Sequence, residues 1–217
     1  MYNGMAGPVV PYAIRGALWY QGEANGDKGD TYFHKMHALY AGWQKRWGQQ
    51  LPFYYAQLAS FVPANTSPEG GDGWAKIREA QRRMLTVPGT GMIVLTDVGE
   101  ADIHPRNKFE VGKRFALLAL AKNYGTKDVV CSGPIYKSVA FGNGKATVAF
   151  DHCKGLKAAK KRGPHDLNDP VPTDELTGFA IAGEDKKWFW ADAKIVDDKV
   201  VLSSKDVERP CPFGKLA

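Results

Sequence analysis

Apolar and polar positions along the chain follow one period up to about residue 126 and another beyond it. Tyr32, Phe33, Met36, Leu39, Tyr40, Trp43 and Trp47 recur at spacings of three and four, the stripe of an amphipathic helix over 30–47 with Asp30 as its N-cap. The same spacing predicts a helix from Trp74 to Leu85 and another from Asn107 to Asn123, the latter with Phe109, Val111, Phe115, Leu118 and Ala119 turned inward. Three short apolar runs alternate with these helices: Ala13 to Tyr20, Phe53 to Leu58, and Met92 to Thr96. Runs of that length read as buried strands, and a strand-helix order repeated three times predicts a parallel sheet with helical crossovers.

From about Val129 the alternation has period two, over Ile135 to Phe141, Lys145 to Phe150, Gly178 to Ala182, Lys187 to Ile195 and Lys199 to Ser203. Phe141-Gly-Asn-Gly-Lys145 and Val196-Asp-Asp-Lys199 are hairpin turns, because Asn, Asp and Gly accept the positive φ that two-residue loops demand. The prediction is an α/β domain over 1–126 and an antiparallel β module over 127–217, with the Gly-, Pro- and Ser-rich stretch from Val62 to Gly73 as a long surface loop.

A chain of 217 residues, 44% hydrophobic, can bury one sizeable core or one core and a smaller second one. Its net charge of +6 owes much to one run, Lys154-Gly-Leu-Lys157-Ala-Ala-Lys160-Lys161-Arg162, which lacks the interleaved aromatics of a nucleic-acid surface and reads as a solvated loop. No nucleic-acid partner is expected. Cys131, Cys153 and Cys211 have neither zinc-ligand nor disulfide-framework spacing, so neither a structural zinc site nor a disulfide framework is indicated, and His34 and His37, with no third ligand of clear spacing nearby, read as surface histidines. No run of about 20 apolar residues suits a membrane helix, and Pro8 and Pro11 interrupt the first apolar stretch where a signal peptide would need its core. The chain as written is expected to stay in the cytoplasm.

Ligands of open parallel sheets gather at the carboxyl ends of the strands. Two polar clusters fall there: Gln21-Gly22-Glu23 after the first strand, and Asp102-Ile103-His104-Pro105 after the third. His104 is the general-base candidate, since imidazole titrates near neutral pH. Asp102 has two readings, a partner that fixes the imidazole tautomer or an N-cap for the helix starting near Pro105, and Asp97 and Glu100 compete for the first role. Gln21, through its amide, and Gly22, through its backbone N–H, suit an oxyanion hole. Glu23 reads as one half of an ion pair, with Arg78 as the other half.

These residues carry a family resemblance. Tyr2-Asn-Gly-Met5, Trp19-Tyr-Gln-Gly-Glu23, Tyr55-Ala-Gln-Leu-Ala59, Arg78-Glu-Ala-Gln81, Asp102-Ile-His-Pro-Arg-Asn-Lys108 and Gly178-Phe-Ala-Ile-Ala-Gly183 resemble bacterial sialate O-acetylesterases, of the carbohydrate-esterase branch of the SGNH hydrolases. The resemblance runs to about Val207 and implies a flavodoxin-like parallel sheet with flanking helices that removes acetyl groups from carbohydrates with a serine nucleophile. It implies His104 as base, Asp102 as its partner, Gln21 and Gly22 as the oxyanion side, no metal or organic cofactor, and a secreted or periplasmic location. In such enzymes the serine lies on a Gly-rich block well before the Gln-Gly-Glu motif, and no serine precedes Tyr20. The chain therefore reads as truncated before its nucleophile block. Of its six serines, Ser60, Ser67, Ser132, Ser138, Ser203 and Ser204, only Ser60 is placed near the cleft as a substitute nucleophile. The closing Lys215-Leu216-Ala217 reads as a vector-derived tail. A parallel sheet lacking its first strand exposes an edge, so self-association is expected.

Two other readings stand beside this one. Aromatic side chains such as Trp74, Trp188 or Trp190 would stack on sugar rings in an inactive binding module, and Glu23 with Asp102 would act as the paired carboxylates of a glycosidase.

Overall fold

A computed structural model describes residues 2–10, 12–61, 66–70, 73–100, 102–160 and 170–211. The described residues form two compact units, 2–61 with 73–131, and 66–70 with 132–211. The tail at 215–217 and half of the loop at 62–73, residues 62–65 and 71–72, lie outside the described residues.

The first unit is built on three parallel strands, β1 (Ala17–Trp19), β2 (Phe53–Ala56) and β3 (Thr90–Ile93), in that spatial order. Ala17 pairs with Phe53, and Phe53 with Thr90. The helices are α1 (Gly29–Trp47), α2 (Gly73–Arg83) and α3 (Lys108–Lys122). All four residues of β2 are buried, as a central parallel strand covered on both faces requires. Its alternate side chains divide between those faces. Tyr54 and Ala56 join Ile93, Leu95 and, from α3, Val111, Phe115 and Leu118 in one cluster. Phe53 points the other way, its ring 5.4 Å from Tyr40 and 6.0 Å from Trp43 of α1. Trp19 meets Trp43 edge-on at 5.7 Å, so α1 is clamped to β1 and β2 by aromatic contacts.

Helix α1 buries Tyr32, Met36 and Tyr40 at steps of four, and Gly48 ends it in the left-handed conformation at φ 65°. Asp30 is not its N-cap: the helix begins a residue earlier, and Asp30 instead pairs with Lys76 at 3.2 Å. Phe109, expected inward, is 60% exposed, because the turn that carries it precedes the buried stripe of α3. The first strand is also shorter than its apolar run, and on this edge strand Leu18 is 61% exposed.

The second unit is antiparallel β. Strands β4 (Ile135–Gly142), β5 (Lys145–Asp151), β10 (Asp192–Val196) and β11 (Lys199–Ser203) form one sheet in the order β10-β11-β5-β4. Two short ribbons, β6 (Ala159–Lys160) with β7 (Val171–Pro172) and β8 (Ala180–Ala182) with β9 (Trp188–Trp190), complete it. Both tight turns form at the expected residues, with φ 51° at Asn143, 49° at Asp197 and 57° at Asp198. The single strand expected over 187–195 is two strands. Ala191 donates its N–H to Phe179 O at 2.9 Å, and the chain leaves the β8–β9 ribbon for the larger sheet at this point. Ala146, Val148, Ile181, Val200, Leu202 and Val207 form this unit's core.

Candidate active site

The loop leaving β1 is held from below by three side chains. Tyr32 Oη lies 2.6 Å from Gln21 O, to which it donates, and 3.1 Å from Gln21 Oε1. Gln21 Nε2 donates to Asn25 Oδ1 at 3.0 Å, which fixes the amide and leaves its second N–H for another acceptor. Gly22 is buried with φ 151°, a conformation open to glycine, and a Cβ there would stand 3.0 Å from Tyr32 Oη and 3.3 Å from Ile77 Cγ2. Burial pushes the Tyr32 phenol up to about 12, so it acts as a fixed hydroxyl donor.

The third support is Gln81 of α2, a fully buried polar side chain. Its Nε2 donates to Ala56 O at 3.2 Å and, at 3.4 Å, to Gln21 O, while its Oε1 accepts from Leu58 N at 3.0 Å. Tyr55 Oη donates to the Gln81 carbonyl at 2.7 Å. One side chain thus ties the end of β2 to the loop after β1. Arg78, one turn earlier, donates to Leu58 O at 2.9 Å and Ala59 O at 2.8 Å. It is therefore a brace for the end of β2, and Glu23 forms no ion pair with it or with any other described residue.

The loop after β3 carries three acids, and each is engaged differently. Both Asp97 oxygens accept from Arg114 at 2.6 Å, and Arg114 also donates to Val94 O. That pairing raises the Arg114 pKa, with Asp97 the largest cause. Glu100 accepts the Arg106 N–H at 2.7 Å. Asp102 Oδ1 accepts the His104 N–H at 2.7 Å and stands 3.6 Å from His104 Nδ1. Of the three, Asp102 is the acid beside the imidazole. It does not cap the helix: Asn107 does, accepting from Glu110 N at 3.1 Å.

Gln21 and Glu23 from the first loop, and His104 from the second, meet in one open cleft of about 290 Å³. Tyr20, Ala24, Ile103 and Lys108 complete its lining. Gly22 is buried beside it, and the His104 side chain is 83% exposed. Burial, with the Glu23 charge second, pushes the Tyr20 phenol up to about 12. Lys108 Nζ stands 5.5 Å from the Tyr20 ring centroid. Asp102 supports His104 without lining the cleft, so the cleft does not present the Glu23 and Asp102 carboxylates as a facing pair. Ser60 does not line it either: its Oγ donates to Thr96 O at 2.7 Å. None of the six serines is in the lining. Among the described residues no group of three His, Cys, Asp or Glu side chains could hold a metal, and no helix is long and apolar enough to cross a membrane.

Sequence reasoning gave no role to Tyr20, Tyr32, Gln81 or Lys108. Lys108 is four residues past His104, and its place on the same loop-to-helix junction was the available clue. Tyr32 and Gln81 act on backbone carbonyls, which leave no trace in the sequence.

Comparisons with known proteins give the family and the fold. A family model described as carbohydrate esterase, sialic acid-specific acetylesterase matches residues 4–121. A sialate O-acetylesterase of Rattus norvegicus is 33% identical over 159 residues, covering 64% of this chain and 29% of its own length. That of Mus musculus is 31% identical over 173 residues, 70% of this chain and 31% of its own. The crystal structure of a carbohydrate acetylesterase from Xanthomonas citri matches with a TM-score of 0.81 and 35% identity, over 97% of this chain and 46% of that one. The chain thus spans about a third of the curated relatives' length and just under half of the solved one.

Proposed function

Given that the chain belongs to the sialic acid-specific acetylesterase family of carbohydrate esterases, we propose that its cleft removes O-acetyl groups from sialic acid or other acetylated carbohydrates by serine-type acyl transfer. His104 is the general base, held by Asp102 through its own backbone N–H and beside its ring. The Gln21 amide and the Gly22 N–H stabilise the oxyanion of the tetrahedral intermediate. Glu23 is a cleft carboxylate that accepts hydrogen bonds from substrate hydroxyls.

The observation that carries this reading is the meeting of Gln21 and His104, 83 residues apart, in one cleft beyond the ends of β1 and β3. We place the nucleophilic hydroxyl outside the chain's six serines; this reading is supported by a cleft lining without serine and by the Ser60 Oγ bond to Thr96 O. Loss of a nucleophile in a protease triad lowers turnover by roughly 10⁶, so acetate release by this chain alone is expected to be slow.

The test is acetate release from O-acetylated sialic acid and from p-nitrophenyl acetate by wild type, His104→Ala and Ser60→Ala. Release above background that vanishes in His104→Ala and persists in Ser60→Ala is expected. Equal turnover by wild type and His104→Ala would overturn the proposal.

A further inference from the structure

The first unit carries its charges unevenly. The loops at the carboxyl ends of β1 and β3 bear Glu23, Asp97, Glu100 and Asp102, whereas the segments at the amino ends of the three strands, 12–16, 44–52, 84–89 and 119–127, contain no Asp or Glu. Those segments hold five cations, Arg15, Lys45, Arg46, Lys122 and Lys127. Side-chain hydrogen bonds gather them into one surface. Trp47 Nε1, at the end of α1, donates to Tyr12 O at 3.2 Å, and Asn123 Nδ2, just past α3, donates to Arg15 O at 3.3 Å. Tyr54 Oη of β2 donates to Asn123 Oδ1 at 3.2 Å. Arg15 thus stands between two helix ends, its guanidinium carbon 5.5 Å from the Tyr124 ring centroid.

A cation in the last turn of a helix is ordinary, because it complements the helix dipole. That accounts for Lys45, Arg46 and Lys122. It does not account for Arg15 or Lys127, which lie outside the helices, or for the lack of any acid among them. Arg15, Lys45, Lys122 and Lys127 are exposed and form no ion pair with any described residue, and neither does Asp128, the first acid past α3. The other exposed side chains include Tyr12 at 70%, Tyr124 at 59%, Gln49 and Gln50. No large aliphatic side chain is exposed over 12–16, 44–50 or 122–127, so this surface has nothing to insert into lipid. Phenol rings and carboxamides suit the rings and hydroxyls of sugars.

We propose that this surface, at the end of the sheet away from the cleft, binds an acidic polysaccharide, with its cations on successive anionic groups and Tyr12 and Tyr124 on the sugar rings. A polymer held there leaves the cleft free, and its binding does not depend on what the cleft does. An exposed ion pair contributes up to about fivefold in affinity, so three together contribute up to roughly 100-fold. Because the charges are exposed, the affinity should fall steeply as salt rises.

The test is titration of the protein with polygalacturonate, neutral dextran, poly-glutamate, and vesicles of phosphatidylcholine with phosphatidylserine, at low and high salt. Wild type is expected to bind polygalacturonate more tightly than the other three. The triple change Arg15→Gln, Lys45→Gln and Lys122→Gln should lower that affinity by up to roughly 100-fold, while Arg15→Lys, Lys45→Arg and Lys122→Arg together should keep it. Lys194→Gln, Lys199→Gln and Lys205→Gln together remove the same net charge from exposed positions of the second unit and should leave binding unchanged. Tyr124→Ser should narrow the preference for polygalacturonate over poly-glutamate. Thermal unfolding checks that each variant is folded; if the first triple variant is not, Lys45→Gln with Lys122→Gln, which keeps Arg15 on Tyr124, should lower affinity by up to roughly 25-fold. Binding that survives removal of these cations, falls equally in the second-unit variant, or favours dextran, poly-glutamate or vesicles would overturn the proposal. His104→Ala should bind the polymer as wild type does, whatever it does to acetate release; loss of binding in that variant would place the polymer in the cleft and overturn the proposal as well.

Discussion

Gln81→Met is the perturbation that most directly tests how the active-site loop is held. Methionine keeps the volume and length of glutamine, so the change removes hydrogen bonds without opening a cavity. The side chain makes contacts of 3.0 Å to Leu58 N, 3.2 Å to Ala56 O and 3.4 Å to Gln21 O. Leu58 is 0% exposed and Ala56 1%, so neither group regains a partner from water. A net hydrogen bond contributes about 1 kcal/mol, and an orphaned buried group costs about 1–3 kcal/mol. Two well-formed bonds and one long one therefore give a loss of about 2–4 kcal/mol. In urea unfolding followed by tryptophan fluorescence, with a slope of about 2 kcal/mol/M, the midpoint should fall by about 1–2 M. Gln81→Glu should be at least as damaging at neutral pH, since it turns a carboxylate toward the Ala56 and Gln21 carbonyls. A Gln81→Met protein within about 0.5 kcal/mol of wild type would refute the reasoning, because the buried partners would then have found other bonds at no cost.

Two further outcomes follow from the same loop. Gly22→Ala places a methyl 3.0 Å from Tyr32 Oη at φ 151°, so it should lower stability by about 1–3 kcal/mol and reduce His104-dependent acetate release; unchanged values of both would count against the described conformation. The Tyr20 and Tyr32 phenols, pushed up to about 12 chiefly by burial, should ionise late in an ultraviolet titration. A phenol whose pKa is raised by folding contributes stability that is whole below pH 10 and is lost as the pH climbs through about 12. Tyr20→Phe and Tyr32→Phe should each remove one late-titrating phenol, and loss of an ordinary phenol near pH 10 instead would contradict the burial.

Periodicity made the elements legible, and its limits show where they were misread. Tyr32, Met36 and Tyr40 announce α1 because a helix must return the same face every four residues. The turns at Asn143 and at Asp197-Asp198 are legible because few residues accept positive φ. The run over 187–195 misled because it alternates without interruption, while Ala191 hands the strand from one sheet to another through a single bond to Phe179. Capping misled at Asp30, which had the right chemistry at a position already inside the helix, whereas Asn107 had both the chemistry and the position.

The site divides along the same physical line. His104 and Gln21 could be found because reactive side chains stand out at the ends of strands, and a parallel sheet puts all such ends on one side. Tyr32 and Gln81 could not, because what they bind is the carbonyl of Gln21, a group every residue has. Their polarity under burial was the only trace, and the helical stripe around Tyr32 explained it as packing. The consequence is a division of labour in this fold: Gln21, Glu23, His104 and Lys108 face the cleft, while Tyr32 and Gln81 hold the loop from beneath it. Of those two donors Gln81 is the costlier to remove, because it also serves Ala56 O and Leu58 N in the core, whereas the Gln21 carbonyl accepts from both.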